Sequence, residues 1–202
     1  MKQELPKWFE QLHKRYPIVN DHEWRLLDQM STIKRIKKGE AFLKHGKVAR
    51  HSAFVISGVF KYAILDESGN EKIIKFGFPN DLLANCESYK KRALSAVSIV
   101  ALEDALILKI NLKRLQPFYE QRNSLLHVNL QLYEELTEQQ SEHQYILSLK
   151  SPVKRYQYLL ERRPMIIQKI SLTNIARYLY LSREAVSRAR LQLVKLRGSF
   201  CD

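Results

Sequence analysis

The chain has 202 residues, 45% of them hydrophobic, enough to bury one large core or two small ones without covalent staples. Its formal net charge of +13, with a pI near 9.7, is higher than an ordinary enzyme needs and points to a polyanionic partner. Cys86 and Cys201 are its two cysteines, which excludes a disulfide framework and leaves no CxxC pair for zinc or an iron–sulfur cluster.

The N-terminal stretch "MKQELPKWFEQLHKRYP" is polar and amphipathic, without the apolar run of a secretion signal, and no later stretch is long and apolar enough to span a bilayer. These features predict a cytoplasmic chain with no membrane partner. Residues 1–30 predict helices, with Trp8, Phe9, Leu12, Trp24, Leu26 and Leu27 as apolar contacts and Pro17 as a break. From about residue 32 to 110 the pattern changes. "STIKRIKKGE", "AFLKHG", "HSAFVISGVFKYAIL", "EKIIKFGF" and "LSAVSIVALEDALILKI" are rich in β-branched and aromatic residues, and Gly39, Gly46, Gly58, Ser68-Gly69-Asn70 and Pro79-Asn80-Asp81 supply turns between them. Short strands at this spacing predict a compact antiparallel barrel or roll.

A long helix is predicted over 112–148, with Pro117 near its start. Leu125, Leu132, Gln139 and Ile146 recur every seven residues, and Asn129, Leu136 and His143 form a second row between them. This pattern predicts a homodimer seam through Leu125, Leu132, Leu136 and Ile146, the alternative being an amphipathic helix packed on its own domain. Ser151-Pro152 ends the helix and marks a boundary, so the expected division is 1–111, 112–150 and 151–202.

The charge is concentrated in the last part. Residues 150–202 hold 12 Lys and Arg against 3 Asp and Glu, whereas residues 1–149 hold 22 against 18. This segment contains "SLTNIARYLYLSREAVSRARLQL", two helical patterns back to back. Leu172, Ile175, Ala176 and Leu179 form one apolar stripe, and Ser182 is placed to cap a second helix. At about 100° per residue, Arg183, Glu184, Ser187 and Arg188 share one side of that second helix, while Ala185, Val186, Ala189 and Leu193 share the other. That is a helix-turn-helix pattern. Guanidinium forks pair with guanine or grip phosphate, a carboxylate accepts from cytosine, and a hydroxyl reads either, so Ser182, Arg183, Glu184, Ser187 and Arg188 are the expected contacts to double-stranded DNA.

N-terminal helices, a roll, a long helix and a C-terminal helix-turn-helix, taken in that order, resemble the Crp/Fnr transcription regulators. "LSREAVSRARLQL" is similar to that family's recognition helix, with Arg183, Glu184 and Arg188 at the positions it uses on bases and phosphates. "ISGVFKYAILDESGNEKIIKFGFPNDLL" and "VSIVALEDALILKI" carry its weaker markers in the roll. The resemblance implies an α+β chain: N-terminal helices and an antiparallel, cyclic-nucleotide-binding-like β-roll, then a dimerisation helix, then a helix-turn-helix domain. It implies a non-enzymatic homodimer that reads a near-palindromic operator and contacts RNA polymerase.

The sequence departs from the family in several places. Tyr180 stands where the family often has glycine in the turn, and the short tail "LRGSFCD" predicts a reduced or absent wing hairpin. Family members that bind cyclic AMP use Gly-Glu-Leu for the ribose and Arg-Ser or Arg-Ala for the phosphate; here Ala84-Asn85-Cys86 and Ser95-Ala96 take those places. The expected effector is therefore an unidentified small molecule or none, and the alternative is a cyclic-nucleotide site rearranged around Arg92. No cofactor and no metal are expected. His45 and His51 have no third ligand at a recognisable spacing, and Cys86 reads as a small buried hydrophobe. The same lack of a His/Glu cluster argues against a metal-dependent barrel enzyme.

Overall fold

The structure is a computed structural model that describes residues 7–198. The chain divides into two compact units, one running to Ala63 and resuming over Phe76–Leu136, the other made of Ile64–Lys75 and the chain from Thr137 onward. The fold is α+β. The predicted elements form except the single long helix, together with several short ones that the sequence pattern does not signal.

The first unit begins with α1 (Lys7–Arg15) and α2 (Asp21–Met30). Asn20 starts α2 through a capping box: its side chain accepts from the Glu23 N–H while the Glu23 carboxylate accepts from the Asn20 N–H. Strands β1 (Ser31–Ile36), β8 (Ala105–Asn111), β3 (His51–Ser57) and β6 (Leu82–Leu83) pair in that spatial order in one sheet. Strands β2 (Ala41–Leu43), β7 (Ser98–Ala101), β4 (Phe60–Leu65) and β5 (Glu71–Gly77) form the other. The ladders between β1 and β8 and between β3 and β8 are antiparallel, as the roll requires. Gly58 turns β3 into β4 at φ +93°, where an added Cβ would lie 2.5 Å from that of Ala105, so both backbone sign and space demand glycine.

The core explains the N-terminal helices. Phe9, Leu12, Tyr16, Val19 and Trp24 are buried in one cluster with Phe54 of β3 and Leu108 of β8. Trp8, expected beside them, has a side chain outside the described atoms. The turn predicted at Ser68-Gly69-Asn70 forms around Asp66, whose carboxylate accepts from the Ser68 and Asn70 N–H groups.

The single helix expected over 112–148 is two helices. Between α4 (Leu112–Gln121) and α5 (Asn123–Ser148), Arg122 takes an extended backbone at φ −140°, ψ 110°. The cause is tertiary. The Glu23 carboxylate is buried, and it accepts from the Ser124 hydroxyl and faces the Arg122 guanidinium at 3.9 Å, which fixes the chain at this junction. A further helix, α3 (Cys86–Lys91), lies in a stretch for which the sequence predicts no helix. Among the described residues no helix is long and apolar enough to cross a membrane.

Candidate nucleic-acid interface

The second unit holds α6 (Pro152–Arg162), α7 (Pro164–Lys169), α8 (Leu172–Leu179) and α9 (Arg183–Gly198). Side-chain caps set the starts: Ser151 accepts from Lys154 N–H, Ser171 from Asn174 N–H and Ser182 from Ala185 N–H. Tyr180 ends α8 in the left-handed region at φ 55°, ψ 45°. Its N–H and that of Leu181 both donate to the Ala176 carbonyl, so the helix is stopped and turned within three residues. A non-glycine residue in this conformation costs about 1 kcal/mol. Contacts on the ring offset it: Lys72 lies 5.4 Å over its face, and His143 meets it edge-on at 5.7 Å. This is how the turn forms without the glycine the resemblance suggests.

The two helices meet through Ile175, Ala176 and Leu179 on α8 and Val186, Ala189 and Leu193 on α9, all buried. On the opposite side of α9, Arg183, Glu184 and Arg188 are exposed and Ser187 is half-buried. The angular sorting expected from sequence is thus realised, and Leu191, at 59% exposure, also lies outside the core. Ser182 accepts on the cap while its O–H faces the Glu184 carboxylate. The Glu184 carboxyl is held below its ordinary pKa first by its own backbone N–H and then by the Ser182 hydroxyl, so it remains an acceptor at neutral pH. α9 ends at Gly198; the expectation of a reduced wing falls on residues beyond it, outside those described.

Four residues whose roles sequence reasoning missed hold this frame. Arg155 donates from Nε to the Leu149 carbonyl (2.6 Å), from Nη2 to that of Leu147 (2.7 Å) and from Nη1 to that of Leu179 (2.8 Å), tying the end of α5 to the end of α8. His143 is buried, stacks on Tyr178 at 4.1 Å, and has Nε2 2.8 Å from the Tyr178 carbonyl. Burial lowers its pKa, outweighing the carbonyl and Glu142. Glu142 in turn pairs with Arg163. Local spacing carries no signal for such long-range ties.

The predicted seam residues on α5 are placed as follows. Leu125 and Leu132 are buried against Phe9, Leu12 and Trp24 of their own chain, Ile146 is fully buried in the second unit, and Leu136 is half-buried. A seven-residue repeat identifies a buried face but not what buries it, and for these three side chains the same chain does. The large apolar residues left exposed near the start of α5 are Leu126 (44%) and Leu130 (51%), one turn apart on the other side.

In the roll, the substituted positions are bonded to each other. Asn85 caps α3 through Oδ1, which accepts from Ser88 N–H, and its Nδ2 donates to Ser95 Oγ at 2.8 Å. Ser95 is buried, and its Oγ also donates to the Val97 carbonyl. Neither side chain projects a charge. Arg92 is exposed and caps the end of α3 in the left-handed region at φ 51°. Among the described residues no group of three His, Cys, Asp or Glu comes together to hold a metal ion, and Cys86 is a free, half-buried thiol.

Residues 33–122 match the sequence model of the cyclic nucleotide-binding domain family. No curated protein matches the chain by sequence. Among solved structures, FixK2 from Bradyrhizobium japonicum superposes with a TM-score of 0.70 at 20% identity, covering 82% of this chain and 85% of that one. A transcriptional regulator of the Crp/Fnr family from Eubacterium rectale gives 0.69 at 19%, covering 96% and 89%. A CooA mutant from Carboxydothermus hydrogenoformans gives 0.67 at 14%, covering 85% and 79%. These likenesses extend over most of the chain and establish a shared fold.

Proposed function

We propose that this chain, which carries the Crp/Fnr fold with a cyclic nucleotide-binding domain at residues 33–122, is a homodimeric transcription regulator that reads duplex DNA with α9. The observation that carries the reading is the α9 face: Arg183, Glu184 and Arg188 stand exposed on a helix seated by unrelated residues, in a segment with 12 basic and 3 acidic residues. In that role Arg183 and Arg188 take guanine or phosphate, Glu184 accepts from cytosine, and Ser182 and Ser187 hold backbone or base. Residues 1–111 serve as the sensing roll, 112–150 as the dimer helix and 151–202 as the reading domain. RNA polymerase is the expected protein partner, by analogy with the fold alone. Selection of bound sequences from random duplex DNA tests the reading.

The dimer is proposed through the exposed stripe of Leu126 and Leu130, with Leu136 at its margin. A two-fold dimer sets two recognition helices about 34 Å apart, one turn of DNA. Sedimentation of the wild-type chain at micromolar concentration should show a dimer, and Leu126→Asp with Leu130→Asp a monomer that remains folded. A monomeric wild type contradicts the assignment.

Cyclic AMP and cyclic GMP are proposed not to be effectors. Asn85 and Ser95 bond each other in place of a carboxylate and an arginine aimed at ribose and phosphate. The competing reading, a cyclic-nucleotide site rebuilt around Arg92, rests on that side chain's exposure. Low-micromolar binding of either nucleotide, lost in Arg92→Ala, would establish it.

A further inference from the structure

The first unit contains a cleft of about 1040 Å³ bounded by the start of β3, α3, α4 and the first part of α5. Its size is at the upper end of the range for small-molecule sites, roughly 300–1,000 Å³, and far exceeds what a single ion needs. Ala84 and Cys86 border it but Asn85 and Ser95 do not, so it shares one edge with the segment at the family's ribose contacts and leaves out the Asn85–Ser95 pair.

The lining is one-signed. Arg50, Lys90, Arg92 and Lys113 all border the cleft and no Asp or Glu does; among the described residues none of the four has a carboxylate partner. Four like charges facing one solvent-filled space repel each other, and an anion with several charges relieves that repulsion where a monoanion relieves only part. Two guanidinium forks and two ammonium groups are the donor set that phosphoryl oxygens take. The same cleft presents two aromatic rings. Lys90 lies 4.9 Å from the Tyr133 ring, and Tyr89 donates its hydroxyl to Gln116 Oε1 at 3.1 Å. With the Lys90 ammonium drawn from over the Tyr133 ring onto a phosphate, that face opens to a planar group.

The wall carrying two of the cations is rigid. Ser88 of α3 is buried, donating to the Ala93 carbonyl at 2.7 Å and accepting from Ala49 N–H at 2.9 Å, which pins the helix to the segment leading into β3 that brings in Arg50. Arg92 leaves α3 in the left-handed conformation, with its backbone N–H spent on Ser88 and Tyr89 carbonyls. Its side chain is free to turn to the cleft it borders.

We propose that this cleft binds a nucleoside polyphosphate, its phosphates among Arg50, Arg92, Lys90 and Lys113 and its base against the tyrosines. The site is independent of DNA binding by α9.

The test uses the full chain with Cys201→Ser, so that Cys86, which lines the cleft, is the one thiol. ATP and GTP, each in EDTA at physiological salt, are titrated by calorimetry beside cyclic AMP and pyrophosphate, and the rate of Cys86 alkylation by N-ethylmaleimide is followed with each. At least one triphosphate should bind about tenfold or more tightly than cyclic AMP and pyrophosphate, and should slow alkylation. Arg92→Ala with Lys113→Ala, both exposed positions, should weaken it by about tenfold or more, and Arg183→Ala with Arg188→Ala should leave it unchanged. The proposal is overturned if neither triphosphate exceeds cyclic AMP, if pyrophosphate binds equally well, if Cys86 is not protected, or if affinity follows the α9 arginines instead.

Discussion

On α9, Arg183, Glu184 and Arg188 stand in solvent while Ser182 caps the helix and Val186 and Ala189 seat it; on α3, the polar side chains Asn85 and Ser88 are themselves the caps and ties. The two regions are of similar chemistry and serve different ends. Where recognition groups and structural groups are different residues, a substitution can remove binding and leave stability intact. Where the polar groups are already bonded to one another, as Asn85 is to Ser95, their bonds serve the local structure, and replacing them changes stability. A ligand in the roll must then be met by side chains outside that pair.

The sharpest way to break this contrast is to attack the frame beneath α9. Arg155→Ala removes three charge-assisted hydrogen bonds to helix-terminal carbonyls, and it should lower the unfolding free energy by about 3 kcal/mol in urea titration. A loss within experimental error would mean that the ends of α5 and α8 are satisfied without it. Arg183→Ala and Arg188→Ala should each cost about 1–3 kcal/mol of operator affinity where the contact is a bidentate base pair, with the urea midpoint unchanged. A shift in the midpoint would show that recognition and folding are not separable there. Asn85→Ala should do the reverse, costing about 1 kcal/mol of stability through the lost cap and leaving DNA affinity unchanged.

The smallest effect concerns His143. Its folded pKa is lowered by burial, so the unfolded chain takes up the proton first as the pH falls. The neutral histidine's contribution is complete above the unfolded value near 6.5 and declines as the pH drops through that value toward the folded one. His143→Gln should flatten the stability profile below about pH 6.5 relative to wild type. Parallel profiles would remove His143 from the account.

Much of the fold was legible because it depends on local signals. Strand composition with turns at Gly58 and Ser68-Gly69-Asn70 gave the roll, and Ser182 before an amphipathic run gave α9. The break at Arg122 was not legible, since it is enforced by Glu23, a distant residue that engages both Arg122 and Ser124. The α5 pattern shows the same limit. Its heptad rows mark a buried face correctly, but Leu125 and Leu132 meet Phe9 and Trp24, whose proximity no periodicity encodes. The exposed face of α9 was legible as a sorting of side chains by angle, whereas Arg155 and His143 act through backbone carbonyls, which sequence patterns do not reveal. The cleft's cations come from three separate segments and had no common signature in the sequence.

The central claim, that α9 of a two-fold dimer reads DNA, is tested most directly by selecting bound duplexes from a random library with the wild-type chain and with the Arg183→Ala, Arg188→Ala double variant. The account predicts that the wild type enriches a near-palindrome with half-sites about 10 base pairs apart, and that the double variant loses this enrichment while remaining folded. Enrichment of no sequence by the wild type, or of the same sequence by both proteins, would contradict it.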